Sequence, residues 1–223
     1  MPQQLSFDLP VRIAHGREDF FVSSANAAAV AMIEGWQSWP GRKLALVGAE
    51  ASGKTHLVHV WATLSGAKIV AAADVATADI PSLASASVAV EDVDQIAGNA
   101  EAEEALFHLH NLVLAEGHSL LFTGQNAPNF WPIALPDLAS RLQGTPLVAL
   151  EAPDDVLLTA LMAKLFHDRQ VVPTADVLPY LVRRIDRSCA AVQATVEALD
   201  AAALAQGRAV TRALAKEVLD KMG

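Results

Sequence analysis

The chain has 223 residues, of which 52% are hydrophobic, and it carries a formal net charge of −9 at pH 7. This length suits one large domain or a medium and a small one, and the acidic balance disfavours direct binding to a nucleic-acid duplex. The single cysteine, Cys189, excludes an internal disulfide and fits a reducing compartment. No apolar run is long enough to cross a membrane, and no basic segment followed by an apolar one marks a signal peptide. We therefore expect a cytoplasmic protein without a membrane partner.

The first nine residues place apolar side chains at alternating positions. In an extended peptide, Leu5, Phe7 and Leu9 would all point to one side. The pattern alone allows two interpretations. The segment is either an edge strand docked on the chain's own body or a short peptide that binds a partner.

The next elements lead into a phosphate-binding loop. A helix is predicted over residues 26–36, and a short apolar strand over residues 43–47. Residues 48–55 then read GAEASGKT, which matches the pattern GxxxxGK[ST], and apolar residues at helical spacing follow. This order of strand, loop and helix favours a phosphate site over the alternative, a glycine-rich turn that merely begins a helix.

The residue types of this loop suit a nucleoside phosphate. Glycines let backbone amides curl toward phosphate oxygens at the positive N-terminal end of a helix. Lys54 would place its ammonium near the outer phosphates, and the hydroxyl of Thr55 would bind Mg²⁺. We predict bound ADP or ATP with Mg²⁺, held by the loop and the helical turn that follows it: Gly48, Ala51, Ser52, Gly53, Lys54, Thr55 and His56.

Two more strands are predicted over residues 68–71 and 88–90, separated by a weakly helical stretch, residues 74–83, that breaks at Pro81. Glu91 and Asp92 directly follow the second of these strands. Ligands lie at the carboxyl ends of parallel strands, so these carboxylates should face the phosphate loop, as in a Walker B motif. One would bind Mg²⁺ together with Thr55, and the other would polarise a nucleophilic water. Without the loop upstream the pair would carry little weight, because solvated carboxylates follow many strands.

The alternation of strands and helices continues along the chain. We predict a helix over residues 101–116, a strand over 119–123, a short helix over 135–142 and a strand over 146–150. Such alternation predicts an α/β body with a five-stranded parallel sheet flanked by helices. Gln125 follows the fourth strand, where a polar side chain would touch a terminal phosphate or the attacking water. A plain turn fits the same residues, and the residue types do not decide between the two.

After Pro153 the strand patterns stop. Helices are predicted over residues 154–169, 175–184, 188–205 and 212–222, with Thr174 and Thr211 as N-caps and Gly207 as a stop. The predicted organisation is therefore an N-terminal peptide, residues 1–10, an α/β nucleotide-binding domain, residues 11–151, and a small all-α lid domain, residues 152–223.

Several of these motifs, taken in order, resemble a known family. The chain is similar to the P-loop AAA+ body of the bacterial replication initiator DnaA. The similarity lies in the segments GKTHL (residues 53–57), IAG (96–98) and LPDLASRL (135–142), and a helical domain follows them. The chain is still more similar to the Hda family of DnaA-related regulators. Such proteins start with a short peptide that binds the DNA polymerase sliding clamp, and residues 4–10, QLSFDLP, resemble it. The resemblance thus favours the partner-binding interpretation for Gln4, Leu5, Phe7 and Leu9.

The resemblance also implies a function. Arg141 matches the arginine finger, which would be presented in trans to ATP bound by DnaA while the regulator sits on the DNA-loaded clamp. Hydrolysis of that ATP would inactivate the initiator. Without the family context, Arg141 would be interpreted as a surface salt bridge. The chain ends within a helix or two of the expected end of the lid, without a basic helix-turn-helix domain, so we expect no direct sequence-specific DNA binding.

Three departures from the family pattern put the chain's own ATP hydrolysis in doubt. Glu91 stands where the first Walker B acid is normally Asp, and Gln125 where Asn or Asp is usual. Ala190 stands where the lid usually carries a nucleotide-sensing arginine, which Arg187, one turn earlier, would have to replace. Two rival functions remain open: a self-contained AAA+ ATPase such as a helicase loader, and a binding module with a vestigial nucleotide site. A homo-oligomer also remains possible.

Overall fold

The computed structural model describes residues 21–222. The predicted clamp-binding residues Gln4, Leu5, Phe7 and Leu9 lie outside this range, so their role stays a prediction. Within residues 21–222, no helix is both long enough and apolar enough to span a membrane.

The described chain contains a sheet of five parallel strands in the order β2-β3-β4-β1-β5. This confirms the predicted fold class. In the register of the sheet, Leu120 at the start of β4 is opposite Lys43 at the start of β1 on one side and Val88 of β3 on the other. The strands are β1 (Lys43–Gly48), β2 (Lys68–Ala71), β3 (Val88–Glu91), β4 (Leu120–Gly124) and β5 (Leu147–Leu150).

Helices cover both faces of the sheet. The helices of this body are α1 (Ala27–Glu34), α2 (Lys54–Ser65), α3 (Ile80–Leu83), α4 (Ala100–Ala115) and α5 (Pro136–Gln143). Leu121 of β4 packs in the same cluster as Ile33 of α1 and Trp61 of α2. Its neighbour Phe122 packs with Leu106 of α4 on the opposite face. The strands therefore bury both faces, which is why they read as continuous apolar runs.

The remaining helices form a separate hydrophobic core. They are α6 (Asp155–Asp168), α7 (Val177–Val182), α8 (Cys189–Gln206) and α9 (Arg212–Met222). Phe166, Leu181, Leu199 and Leu214, one from each helix, are buried together. Gly207 ends α8 in the left-handed conformation with φ +58°, as predicted for a helix stop.

Two local predictions differ from the structure. The helix predicted over residues 175–184 is only Val177–Val182, with Asp176 rather than Thr174 at its N-cap position. The Thr174 hydroxyl instead donates a hydrogen bond to the Asp176 carboxylate, at 2.7 Å. Pro81 does not break a helix: it lies in the first turn of α3, where its missing N–H costs no intrahelical hydrogen bond.

Candidate functional site

The loop between β1 and α2 is shaped by residues that tolerate little substitution. A Cβ atom at Gly48 would lie 2.8 Å from the Ser52 hydroxyl and 2.9 Å from the Leu150 carbonyl oxygen. Gly53 has φ +105°, which L side chains rarely adopt. Ala51 is also left-handed, with φ 55°, an unusual conformation for alanine that costs about 1–2 kcal/mol. The backbone is thus held in a tight curl immediately before α2.

Lys54 stabilises this curl from inside. Its ammonium donates hydrogen bonds to the carbonyl oxygens of Gly48 and Ala49, at 2.8 and 2.9 Å. The side chain is buried, yet no carboxylate pairs with it within residues 21–222. Because its hydrogen bonds go to carbonyl groups rather than to a carboxylate, the ammonium is available to an anion.

The loop borders a cavity of about 440 Å³, between the body and the N-terminal end of α8. Of the predicted nucleotide-binding residues, Ala51, Gly53, Lys54, Thr55 and Gln125 line it. Gly48, Ser52 and His56 do not, and neither do Glu91 and Arg187. The full lining is Glu50, Ala51, Gly53, Lys54, Thr55, Asp92, Gln95, Gln125, Cys189, Ala190 and Gln193.

Asp92 is the Walker B carboxylate that faces this cavity. It has φ 56°, and its N–H donates to the Thr123 hydroxyl of β4, at 2.9 Å. Glu91 is the last residue of β3 and is half-buried. The carboxylate of Asp94, which the sequence did not single out, accepts a hydrogen bond from the N–H of Gln125, at 3.0 Å. Asp94 thereby ties the segment after β3 to the segment after β4.

The lid domain contributes a helix end rather than an arginine. Ser188 caps α8 by accepting a hydrogen bond from the N–H of Ala191, at 3.1 Å. The N–H of Cys189, the first residue of α8, donates to the carbonyl of Ala51 in the phosphate loop, at 3.1 Å. Burial raises the pKa of the Cys189 thiol, so the thiol stays neutral. Ala190 and Gln193 complete this wall without charge.

Arg187 is occupied elsewhere. Its guanidinium pairs with Asp155, at 2.6 Å, and donates to the carbonyl of Pro153, at 3.3 Å. For Arg187 to sense a nucleotide, as the sequence suggests, this ion pair would first have to open.

The residues present fit a nucleoside phosphate with Mg²⁺. The cavity is lined by one cation, Lys54, and two carboxylates, Glu50 and Asp92, so a bare polyphosphate would face net negative charge. Within residues 21–222, no group of three or more His, Cys, Asp or Glu side chains is placed to hold a metal. Mg²⁺ needs no such cage, because it binds through one or two protein oxygens plus phosphates and waters. Thr55 and Asp92 both line the cavity and would supply those oxygens.

The sequence did not predict four of the lining residues: Glu50, Gln95, Cys189 and Gln193. Gln95 follows the Walker B acids, and Glu50 lies within the loop motif itself, so both had a positional signal. Gln193 lies four residues after Cys189 in α8, hence on the same helix face. Helical spacing would have indicated Gln193 only once the side of α8 that faces the loop was known.

Arg141 lies near the amino ends of the strands, whereas the phosphate loop follows their carboxyl ends. It is in the last turn of α5, and its carbonyl accepts a hydrogen bond from the ammonium of Lys43, at 2.7 Å. Lys43 begins β1, whereas the phosphate loop follows Gly48 at the end of β1. With about 3.3 Å of rise per residue, the two points are roughly 17 Å apart. Arg141 is therefore remote from the chain's own cavity.

The guanidinium of Arg141 is supported without a counter-ion. It lies over the ring of Phe107, 5.0 Å from the centroid. Its Nε atom is buried without a hydrogen-bond partner, and no ion pair within residues 21–222 includes it. The surface salt bridge considered from the sequence is thus absent from the described part of the chain.

His110 adds a third basic group to this end of the strands. It is buried, it stacks on Phe122 with ring centroids 6.4 Å apart, and its Nε2 has no hydrogen-bond partner. Burial, reinforced by the charges of Lys43 and Arg141, lowers the pKa of His110 to about 4. His110 is therefore neutral near pH 7.

Glu103 anchors the segment that leads into α5. It is only 1% exposed, and its carboxylate accepts hydrogen bonds from the N–H groups of Gly98, Ala134 and Leu135, at 2.7, 3.1 and 2.7 Å. Burial alone would raise the pKa of this carboxyl group, but the three backbone donors outweigh it and lower the pKa. Glu103 therefore stays ionised and fixes the start of the helix that carries Arg141.

No protein-family model matches the chain. Among solved structures, domain III of the replication initiation protein DnaA from Thermotoga maritima superposes with a TM-score of 0.79 at 18% identity, over 96% of this chain and 98% of that one. AMPPCP-bound DnaA from Aquifex aeolicus gives 0.67 at 17% identity, over 81% and 63%. A replication initiator DnaA bound to AMPPCP and single-stranded DNA gives 0.66 at 19% identity, over 81% and 62%.

The chain therefore matches under two thirds of the length of these last two structures, but nearly all of the isolated domain. The parallel five-stranded sheet, the loop at the end of β1 and the helical domain that closes over it all belong to this shared architecture. The chain has the fold of domain III of the replication initiation protein DnaA.

Proposed function

We propose that this chain is a nucleotide-binding regulator of replication initiation that supplies Arg141 in trans to ATP held by a DnaA-type initiator. In this proposal, hydrolysis of that ATP inactivates the initiator. The observation that carries the proposal is the position of Arg141. Within the described residues 21–222 its guanidinium has no counter-ion, and it is held at the amino ends of the strands, opposite to the chain's own cavity.

The charge of Arg141 supports this role. A guanidinium placed beside a γ-phosphate stabilises the negative charge that develops in the transition state, and in trans this is worth on the order of 10³–10⁵ in rate. An ion pair with a carboxylate would neutralise that charge, and Arg141 has none within the described residues. Arg141 contacts Lys43 at the start of β1, whereas the phosphate loop follows the end of that strand, so Arg141 suits another molecule's nucleotide better than its own.

The chain's own cavity has a different role in this proposal. Bound ADP or ATP would be held by the loop amides and Lys54, with Mg²⁺ bound to its phosphates and to Thr55 and Asp92. The carbonyl of Ala51 already accepts a hydrogen bond from Cys189 of the lid domain. A nucleotide seated there would contact the body and the lid together and so stabilise their arrangement.

The segment with Gln4, Leu5, Phe7 and Leu9 is proposed to bind the sliding clamp. In this interaction Gln4 would donate or accept hydrogen bonds in a clamp pocket, and the three apolar side chains would fill apolar subsites. Replacing Gln4→Ala together with Leu5→Ala should abolish capture by the immobilised clamp and leave the melting temperature unchanged. Unchanged capture would remove the clamp from the proposal.

The test of the whole proposal is ATP hydrolysis by the initiator, measured with DNA-loaded clamp, with and without this protein. We expect stimulation by the wild-type chain and a loss of about 10³-fold in the stimulated rate with Arg141→Ala. Arg183→Ala, which changes an exposed arginine of the lid domain, is the control and should stimulate fully. Full stimulation by Arg141→Ala would show that the arginine finger lies elsewhere.

A self-contained ATPase is the alternative, because Thr55 and Asp92 line the same cavity as Lys54. Purified protein alone distinguishes the two. Turnover at a typical enzymatic rate of about 1 s⁻¹ or faster, without any partner, would favour the ATPase. Turnover far below that rate, together with partner-dependent stimulation, favours the regulator.

A further inference from the structure

Lys43 caps the helix that carries Arg141. The last four carbonyl groups of a helix have no intrahelical partner, and α5 has only eight residues. The carbonyl of Arg141 is one of these four, and it accepts two hydrogen bonds: from the ammonium of Lys43, at 2.7 Å, and from the hydroxyl of Thr145, at 3.0 Å. The long-range contact therefore falls on the same residue that carries the free guanidinium.

This contact is unfavourable for Lys43 in one respect. Burial, and then the nearby charge of Arg141, lowers the pKa of Lys43, so the ammonium is held close to a like charge. An attractive carbonyl oxygen at the negative end of α5 offsets this repulsion. A carboxylate at the same place could not hold the helix end, because it has no proton to donate to the carbonyl, and it would also neutralise Arg141.

We propose that Lys43 is a positioning residue for Arg141: it fixes the end of α5, and so the direction of the guanidinium, without reducing its charge. The inference rests on the proposed function, since it assigns Lys43 a part in stimulation of the initiator's ATPase. Lys43 acts through the backbone of Arg141 and touches no nucleotide. The stacking of Arg141 on Phe107 fixes the other end of the side chain.

The chain offers a matched control in Lys68. Like Lys43, it is the first residue of a strand, β2, and its ammonium donates to a carbonyl near the end of a short helix, that of Ser82 in α3. It also donates to the Ser85 hydroxyl, at 3.0 Å. These contacts of Lys68 lie in and just after α3, whereas Arg141 lies in α5. Replacing Lys68 therefore measures what the loss of a lysine at a strand start costs when Arg141 is not involved.

The experiment compares Lys43→Met, Lys43→Arg and Lys68→Met in the clamp- and DNA-dependent ATPase assay of the initiator. Because small misplacements of a reacting group cost up to about 100-fold, we expect Lys43→Met to lower the maximal stimulated rate roughly 10- to 100-fold. The concentration of this protein that gives half-maximal stimulation should not change. Lys43→Arg, which can still donate to the carbonyl, should restore most of the rate, and Lys68→Met should have no effect.

Full stimulation by Lys43→Met would overturn the inference. So would a rate that falls only because the half-maximal concentration rises, since that would indicate a lost interface rather than a misplaced arginine. Failure of the proposed function is a separate result, because it appears as full stimulation by Arg141→Ala. If Lys43→Met does not fold, Thr145→Val removes the second donor to the same carbonyl. It should lower the maximal rate by a smaller factor, and an unchanged rate would again refute the inference.

Discussion

The two ends of the strands, here called the carboxyl edge and the amino edge of the sheet, are built in opposite ways. At the carboxyl edge, a cavity of about 440 Å³ combines one ammonium, two carboxylates, backbone amides and the N-terminal end of α8. At the amino edge, Lys43, His110 and Arg141 lie together, and within residues 21–222 none of them forms an ion pair with a carboxylate. The first edge can hold a phosphate and a metal, and the second can only offer positive charge.

This difference indicates how the two edges would work together. A site for phosphoryl transfer needs a cradle for the phosphates and a cation for the charge that develops on the transferred group. In this chain a loop that fits phosphates follows the carboxyl end of β1, and a cation lies near the amino end of the same strand, which spans roughly 17 Å. Two molecules of this fold placed with the amino edge of one against the carboxyl edge of the other would bring the loop and the cation together. The arrangement therefore favours action between molecules over action within one.

The largest effect is expected from Lys54→Ala, which breaks the carboxyl edge. Among residues 21–222, Lys54 is the only cation that lines the cavity, and it also donates hydrogen bonds to the carbonyl oxygens of Gly48 and Ala49 in the loop. We expect nucleotide affinity to fall about 100-fold or more, or at least about 2.7 kcal/mol. Titration with a fluorescent ADP analogue measures this, and Lys68→Ala is the control.

The same variant distinguishes a working site from a vestigial one. A ligand that binds only the native state at about 100 times its Kd stabilises that state by about 2.7 kcal/mol. ADP or ATP with Mg²⁺ should therefore raise the melting temperature of the wild-type chain and not that of Lys54→Ala. Equal melting of the two proteins with nucleotide would indicate a vestigial cavity.

Glu103→Gln is expected to loosen the start of α5, the helix whose last turn holds Arg141 at the amino edge. The amide keeps one acceptor oxygen and turns an NH₂ group toward backbone N–H donors, so at least one buried donor loses its partner. We expect a loss of about 3 kcal/mol in the free energy of unfolding by urea. Glu104→Gln, at the exposed neighbour, should change it by less than about 0.5 kcal/mol.

Glu103 also predicts acid sensitivity. Because its folded-state pKa is lowered, its contribution is present above the unfolded pKa near 4.5 and is lost as the pH falls through the lower, folded value. Glu103→Gln should remove that part of the pH dependence. Nucleotide affinity above pH 6 should be the same in the variant, and a clear drop would show that the segment anchored by Glu103 also supports the cavity.

His110 gives the amino edge a pH dependence in a higher range. Between pH 6.5 and about 4, the unfolded chain binds a proton at this residue and the folded chain does not. Stability should therefore decrease as the pH falls through this window, by about 3 kcal/mol in total. His110→Phe, which cannot titrate, should show a flatter profile of unfolding free energy between pH 6.5 and 4. Parallel profiles for the two proteins would contradict the assignment.

The sequence predicted the fold because its strongest signals are local. Parallel strands buried on both faces read as apolar runs, and the phosphate loop marks the junction of β1 and α2 without ambiguity. Thr55, Asp92 and Gln125 could be assigned to the cavity because the carboxyl ends of parallel strands meet at one edge. That rule does not specify which of two adjacent carboxylates turns inward, so Glu91 was assigned with Asp92.

The residues that the sequence missed depend on contacts between distant segments. Glu103 looks like one of several acids in the first turns of an exposed helix. Its partners at Ala134 and Leu135 lie 31 and 32 positions away. Lys43 looks like a polar residue at the start of a strand, yet its partner carbonyl lies 98 positions away. No periodicity or motif carries such information, because it depends on how α4 and α5 pack against the sheet.

The smallest effect is expected from Arg187→Ala, which tests whether the lid domain adds a cation to the carboxyl edge. The sequence offered Arg187 as a substitute for the arginine missing at Ala190, but its guanidinium pairs with Asp155 and both side chains are more than half exposed. Exposed pairs contribute about 0.2–1 kcal/mol, so stability should change by less than about 1 kcal/mol. Nucleotide affinity should change by less than about 2-fold, or about 0.4 kcal/mol, in the same titration used for Lys54→Ala. A loss of about 10-fold or more would mean that Arg187 leaves Asp155 when a nucleotide binds, and the carboxyl edge would then carry a second cation after all.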